Sequence, residues 1–385
     1  MYRPTYINVD CDVLSNNIKN IISKNKDYKY FIGVVKNNAY HHGIYSIKYM
    51  LESGINYLAV SSLEEAIEIR RLYADIPILC LEPIKSEFVY DIINNNVTMT
   101  ISTKKEAVNL INSDLFSKVK VHLKVDSGMN RLGFKVVEDL TSTYDMLSSN
   151  KNIEVEGIYT HLATDGINDK EFLKQVNTFK KMVFSLSSKK FKIIHMDRSY
   201  TSMIHDKLDF VNGTRLGISM YGIIPQVRTS FIDRIFLKYN NKVSINKIIS
   251  SYKLKPVLSC YTEVMELRFV NKGEFVGYGA KYKPKNDEII ATIPCGYADG
   301  IVKDFKSVYI RGRSYDIIAE CMDMLMIKVD YSIKIGDKVE IIGPHQSVYE
   351  LSKRTGHVEH KIFTMFSNRI PVVYINHNSR YEVKY

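Results

Sequence analysis

No apolar run in this chain is long enough to cross a bilayer, and the opening stretch Met1–Leu14 has none suited to a secretory signal. The expectation is a protein that works in the cytoplasm, away from membranes. Cysteine is scarce. Cys11, Cys80, Cys260, Cys295 and Cys321 are scattered, odd in number and without a C-x-x-C pair, which argues against a disulfide framework and for reduced thiols. Internal repeats, low-complexity tracts and long basic blocks are also missing. The net charge of +11 is compatible with a nucleic-acid partner. Its lysines are dispersed, often beside Asn and Tyr, and no recognised binding motif accompanies them. A solvated surface is expected, with no nucleic-acid partner.

What is present is alternation. At 385 residues the chain exceeds one average domain, and 45% hydrophobic residues supply ample core material. Eight short apolar runs fill the first two-thirds: Tyr30–Val35, Tyr57–Val60, Pro77–Cys80, Val97–Ile101, Val119–Val125, Ile153–Thr160, Phe191–His195 and Leu208–Val211. Amphipathic segments separate them. Leu63–Tyr73 follows Ser62 and carries Glu65, the reciprocal capping pattern of a helix start, and Thr103 with Glu106 repeats it. Strands joined by helices pair in parallel through right-handed crossovers. Eight such units suggest a (β/α)8 TIM-like barrel, with an open doubly wound sheet as the alternative that periodicity leaves standing. Residues 226–252 are polar and basic without clear period and read as a connector or insertion. Short β-rich runs then dominate: Val257–Val270, Glu288–Ile293, Ser307–Ile310, Met324–Val329 and Lys338–Ile342. The expected organisation is a (β/α)8 barrel over 1–235 and a mainly-β domain over 236–385.

In a parallel barrel, reactive groups collect at the C-terminal ends of the strands. The first run leads into Lys36. A lysine directly after a buried strand is partly desolvated, which favours the neutral amine that forms imines, although a strand-end lysine in solvent fits this residue taken singly. The fifth leads into Asp126–Gly133, whose glycines allow a tight loop presenting Arg131. The sixth ends in Thr160-His161, where a satisfied structural histidine is the simpler reading. Ser199 follows the seventh, and Arg215-Leu216-Gly217-Ile218 the eighth. Barrels commonly build phosphate sites there, from backbone N–H groups, a hydroxyl and a helix N-terminus. A lysine at strand one facing a phosphate cradle suits a phosphorylated aldehyde cofactor.

Together these segments resemble the alanine racemase family, two-domain enzymes of pyridoxal-phosphate fold-type III, in order and over nearly the whole chain. Val34–Gly43 is similar to the cofactor-lysine segment, with His41 where glycine is usual. Leu123–Phe134 resembles the D-T-G-M-x-R-L-G loop, Gly157–Thr164 the T-H-F-A stretch, and Arg215–Pro225 the R-P-G-I-x-L-Y-G segment. Val276–Gly279, Gly296–Gly300 and Met322-Asp323 resemble three signatures of the second domain. The resemblance implies an amino-acid racemase using pyridoxal 5'-phosphate. Lys36 would carry the cofactor as an imine and act as one base, with Tyr278 as the other. Racemisation removes a proton from one face of Cα and returns one to the opposite face, so two bases are the economical solution. The family pairs them across a head-to-tail homodimer. Arg215 would face the pyridine nitrogen; a guanidinium keeps its proton, which would leave that nitrogen bare and restrict the chemistry to proton exchange. Tyr40, Ser199 and the backbone of Gly217 and Ile218 would hold the phosphate. Arg131 would contact the phenolic oxygen and the substrate carboxylate, and His161 the ring. Tyr297, Met322 and Asp323 would line the substrate site. Lys124 matches a position carbamylated in some members, where it orients the arginine.

Departures from the family pattern gather around the pocket. His360 stands for a tyrosine, Arg198 for the asparagine before the phosphate serine, and Lys303 for an entrance arginine. The acidic residue after T-H-F-A comes one position early, at Asp165. Alanine is the expected substrate, supplying D-alanine for peptidoglycan. A racemase of serine or of broader range is the alternative, because histidine at 360 is smaller than tyrosine and offers a ring nitrogen. A non-catalytic pyridoxal-phosphate carrier is a third reading, disfavoured by the second domain. No metal is expected, since His357 and His360 lack a third ligand nearby in sequence.

Overall fold

The computed structural model describes residues 2–165, 169–187, 190–224, 242–377 and 379–383. Its contacts divide the chain into two compact units. One comprises Ser15–Ala39 and Ile47–Leu254, the other Met1–Leu14, Tyr40–Ser46 and Lys255–Tyr385. The boundary expected at 235/236 lies outside the described residues. Strand β1 (Tyr6–Asp10) belongs to the second unit.

The first unit is a barrel of eight parallel strands closing in sequence order. They are β2 (Tyr30–Val34), β3 (Tyr57–Val60), β4 (Ile78–Cys80), β5 (Val97–Ile101), β6 (Val119–Lys124), β7 (Ile153–Tyr159), β8 (Ile193–Arg198) and β9 (Gly213–Leu216), with β9 pairing back onto β2. That closure rules out the open sheet. Strands β3, β4, β5 and β9 are buried throughout, as parallel strands covered on both faces must be. Ser62 caps the helix Leu63–Leu72 reciprocally, its Oγ accepting from Glu65 N–H and its N–H donating to the Glu65 carboxylate, each at 3.4 Å. At the second helix start, Thr103 Oγ1 accepts from Glu106 N–H at 3.2 Å, while the Glu106 carboxylate reaches one residue further back, to Ser102 N–H at 2.7 Å.

The eighth strand differs from the sequence expectation. Leu208–Val211 is a turn, closed by Val211 N–H to Leu208 O, and the strand is Gly213–Leu216. Asn212 aligns it, accepting from Ile194 N–H at 2.8 Å and donating to Lys192 O at 2.9 Å. The apolar run is the more hydrophobic of the two segments, but the polar Gly-Thr-Arg-Leu stretch completes the ladder. Arg215 therefore lies inside a barrel strand instead of after one. Part of the connector is also regular: Lys242–Ser251 is helical.

The second unit is built on a ten-stranded sheet of β1 with β10 (Leu258–Glu263), β11 (Glu266–Val270), β12 (Glu288–Ile293), β13 (Ser307–Ile310), β14 (Arg313–Glu320), β15 (Leu325–Val329), β16 (Lys338–Ile342), β17 (Val372–Asn376) and β18 (Ser379–Val383). Its order is β11-β12-β15-β14-β13-β16-β10-β1-β17-β18. β1 lies antiparallel to β10 and parallel to β17. Sequence reasoning missed β1, β14, β17 and β18. β14 is half polar, and is recruited by a two-residue hairpin at Arg311-Gly312, both at positive φ.

Candidate active site

Lys36 stands at the C-terminal end of the barrel, just past β2. The backbone then coils the opposite way to an ordinary helix. Asn37, Asn38, Ala39, Tyr40 and His41 all have φ between 51° and 66°, so the turn Lys36–His41 is left-handed. At roughly 1–2 kcal/mol per non-glycine residue, five in a row cost roughly 5–10 kcal/mol, which the surroundings must offset. Glu65 helps: the carboxylate that caps its own helix also accepts from Asn37 N–H at 2.5 Å. Strain of this kind concentrates at functional sites. The two asparagines, tolerant of this region, are its only sequence signal.

Four cations gather at this end of the barrel. Lys124 closes β6, its ammonium 5.3 Å from the centre of the Tyr159 ring. Burial, then the charges of Arg131, Arg215 and Lys36, bring its pKa down to about 8. Arg131 is exposed on a loop folded by Asp126 Oδ1, which accepts from Gly128 N–H at 3.0 Å and Asn130 N–H at 2.9 Å. Gly133 closes that loop at φ +125°, and a Cβ there would meet Asp126 N at 2.5 Å. Arg215 is buried, its Nη2 donating to Thr160 O at 2.7 Å and Met196 O at 3.0 Å. His161 Nδ1 lies 3.4 Å from that Nη2, and burial with the nearby arginines holds the ring neutral, its pKa far below the usual range. Ser199 heads the helix Ser199–Ile204, and its Oγ accepts from Gly217 N–H at 2.7 Å. Gly217 and Ile218 form the turn leaving β9. Lys36, Arg131, His161, Ser199, Arg215, Gly217 and Ile218 thus converge in one unit. A cationic mouth beside a hydroxyl and turn amides suits an anionic, phosphorylated ligand.

The other expected residues lie in the second unit. Burial pushes the Tyr40 phenol up to about 12. Tyr278 is 81% exposed on a short turn between Gly277 and Gly279, both at positive φ. The segments carrying Tyr297 and Met322 pair through the backbone, Tyr297 N–H donating to Cys321 O at 3.2 Å and Ala298 N–H to Met322 O at 3.0 Å. Beneath them the buried Asp299 carboxylate accepts from Arg3 at 2.8 and 2.9 Å, and Arg369 donates to Asp323 at 2.6 Å. His360 is exposed on the helix Glu359–Thr364.

Residues 9–225 match the alanine racemase N-terminal domain, and residues 257–374 the alanine racemase C-terminal domain. The chain belongs to the alanine racemase family. The alanine racemase of Streptococcus uberis is 32% identical, covering 98% of this chain and 99% of that protein. Alanine racemase 1 of Bacillus subtilis is 30% identical over 100% and 96%. The structure of the Bacillus anthracis alanine racemase with bound L-Ala-P superposes with a TM-score of 0.88 at 31% identity, covering 100% of this chain and 98% of that one. The protein is accordingly a pyridoxal-phosphate-dependent racemase, an isomerase.

Two departures of this racemase from the family pattern prove to be partners. Arg198, at the end of β8, forms an ion pair with Asp165, in the loop after β7. His205 Nε2 lies 2.8 Å from the Asp165 backbone oxygen. Read in sequence they are unrelated anomalies. Buried His122, His195 and Glu156 were missed as well; their only signal is a polar residue inside each apolar run.

Proposed function

We propose that this racemase interconverts L- and D-alanine, with Lys36 and Tyr278 as its two bases. The observation that carries the reading is the convergence of Lys36, Lys124, Arg131 and Arg215 beside Ser199 and the β9 turn. When bound there, pyridoxal phosphate supplies an electron sink that acidifies the Cα proton of an amino acid. Lys36 would hold it through its amine and would move a proton at one face of Cα; the Tyr278 phenol would serve the other. Tyr40, Ser199, Gly217 and Ile218 would hold the phosphate, and His161 would support the ring. Arg215 would pair with the ring nitrogen and, since a guanidinium keeps its proton, would leave that nitrogen unprotonated. Arg131 anchors the substrate carboxylate. Lys124, with its lowered pKa, keeps enough neutral amine to take up carbon dioxide, and the resulting carbamate would orient Arg131. Tyr297, Met322 and Asp323 bound the substrate.

The exposure of Tyr278 in its own chain supports a head-to-tail homodimer in which each site takes that phenol from the second copy. The product would be D-alanine for peptidoglycan, made in the cytoplasm. A non-catalytic carrier does not fit a chain matched by both domains of an enzyme family. Serine remains the second reading because of His360. Assays with L-alanine, L-serine and L-lysine in the presence of cofactor decide. L-alanine is expected to be turned over best, and His360→Tyr to raise the alanine-to-serine ratio of kcat/KM. Racemisation of another amino acid without alanine would overturn the reading.

A further inference from the structure

Behind Arg215, the barrel core holds a row of polar side chains that the reaction as read above does not use. Arg215 Nη1 lies 2.7 Å from His195 Nδ1, His195 Nε2 3.1 Å from His122 Nδ1, and His122 Nε2 3.3 Å from Glu156 Oε2. Glu156 also accepts from Tyr57 at 2.9 Å and from Lys192 at 2.8 Å. All four members of the row are buried, in a place where barrels usually pack branched apolar residues. The space is reserved for them. A Cβ on Gly157 would lie 2.7–2.8 Å from the His122 ring, so the residue facing that imidazole has to be glycine.

The direction of each bond follows from what its ends can do. A guanidinium only donates, and a carboxylate only accepts. The two imidazoles between them must each accept on Nδ1 and donate from Nε2. No other pair of tautomers satisfies the row, and a doubly protonated ring would set two donors face to face. Burial lowers the basicity of both rings. Burial alone would raise Glu156, but hydrogen bonds from His122, Lys192 and Tyr57 outweigh it and keep the carboxylate charged. Lys192 is half exposed and precedes β8, so the row runs from solvent at the N-terminal end of the barrel to Arg215.

We propose that Glu156, acting through His122 and His195, is the positioning residue for Arg215. It orders the tautomers so that His195 Nδ1 stays an acceptor, and that acceptor fixes the plane of the guanidinium. With Nη1 held by His195 and Nη2 by the Thr160 and Met196 carbonyls, the group has little freedom to swing. The proposal rests on Arg215 facing the cofactor ring; the first test of it does not.

Nitrogen-15 spectra of the histidine-labelled wild-type holoenzyme at neutral pH are expected to show protonated Nε2 and bare Nδ1 on both rings. A protonated Nδ1 on either ring overturns the proposal, and this measurement needs no variant to fold. Glu156→Gln leaves one acceptor oxygen where the carboxylate had two, so its amide must face either Lys192 or the His122–Tyr57 pair donor to donor. Its kcat is expected to fall roughly ten- to a hundredfold, the usual loss when an outer partner of a functional histidine is removed. KM should change little, the His195 resonances should shift, and a larger share of turnovers should end in transamination. Glu156→Asp should recover part of the loss. A folded Glu156→Gln with wild-type kcat and an unchanged transamination share overturns the proposal alone. An Arg215→Lys variant that racemises like wild type overturns the reading of Arg215, and the proposal with it.

Discussion

Lys36 and Tyr278 differ in how much of their setting is visible locally. Lys36 sits at the head of a strained left-handed turn among other cations. Tyr278 stands in the open on a glycine-flanked turn, and among the described residues of its unit nothing marks it as a base. Their roles are therefore best separated by chemistry. Borohydride treatment of the holoenzyme is expected to fix a pyridoxyl group on the peptide containing Lys36; an adduct on Lys124 would sink the assignment. Tyr278→Phe keeps the ring and removes the ionisable oxygen. It is expected to slow racemisation by about a hundredfold or more, the scale of a lost general base, while cofactor affinity holds. Wild-type rates in both directions would show that Tyr278 is no base.

At the scale of elements, the loop after β6 shows how the site is held. Asp126 ties the backbone on one side, and Gly133 brings it back within 2.5 Å of where a Cβ would sit against Asp126 N. Gly133→Ala meets both a backbone clash and a φ of +125°, so the loop must open. The expected loss is a few kcal/mol of local stability, about 1–3 from the strained backbone alone. A weakened grip on the substrate carboxylate by Arg131 should follow, read as a raised KM. A variant with wild-type KM and melting temperature would show that the loop closes by other means. The left-handed turn teaches a related lesson, because His41 occupies a φ of 66° where the family usually has glycine. Its ring packs against Phe366 at 5.9 Å between centres, a contact glycine would forfeit.

For the whole molecule, buried neutral histidines couple folding to pH. Burial brings the His41 pKa down to about 4 and lowers His122, His161 and His195 as well. Between pH 6.5 and 5 these rings are protonated mainly in the unfolded chain. Their stabilising share is complete above about pH 6.5 and is lost as pH falls from there toward 4 and below. His41, with its pKa near 4, should by itself remove on the order of 1–2 kcal/mol between pH 6.5 and 5, and the other three act in the same direction. Urea unfolding of the holoenzyme at both pH values would expose the slope, and equal midpoints would refute it. The dimer is testable by complementation. Mixing inactive Lys36→Ala and Tyr278→Phe chains should restore some activity if each site draws on two copies. No recovery despite demonstrated subunit exchange would argue for sites built within one chain.

Much of this was legible in the sequence because barrel strands buried on both faces must be short and apolar, and loops after them must carry the chemistry. Seven of the eight runs fell on barrel strands for that reason, which puts Lys36, Arg131 and Ser199 after strands at the C-terminal end of the barrel; the roles expected of them came from the family resemblance, since position fits an ordinary strand-end residue equally well. Apolar content misled where polar groups were needed inside: β9 is Gly-Thr-Arg-Leu, and the greasier Leu208–Val211 became a turn. Strands β1, β14, β17 and β18 depend on pairing partners far along the chain, as β1 does on β10 and β17, and no local pattern announces such partners. Only the fold set five consecutive residues into a left-handed turn, paired Arg198 with Asp165, and lined up Arg215, His195, His122 and Glu156. The reason is physical: each of these arrangements is unfavourable for its residues taken alone, through strain, desolvation or lost entropy. Contacts distant in sequence have to outweigh that cost.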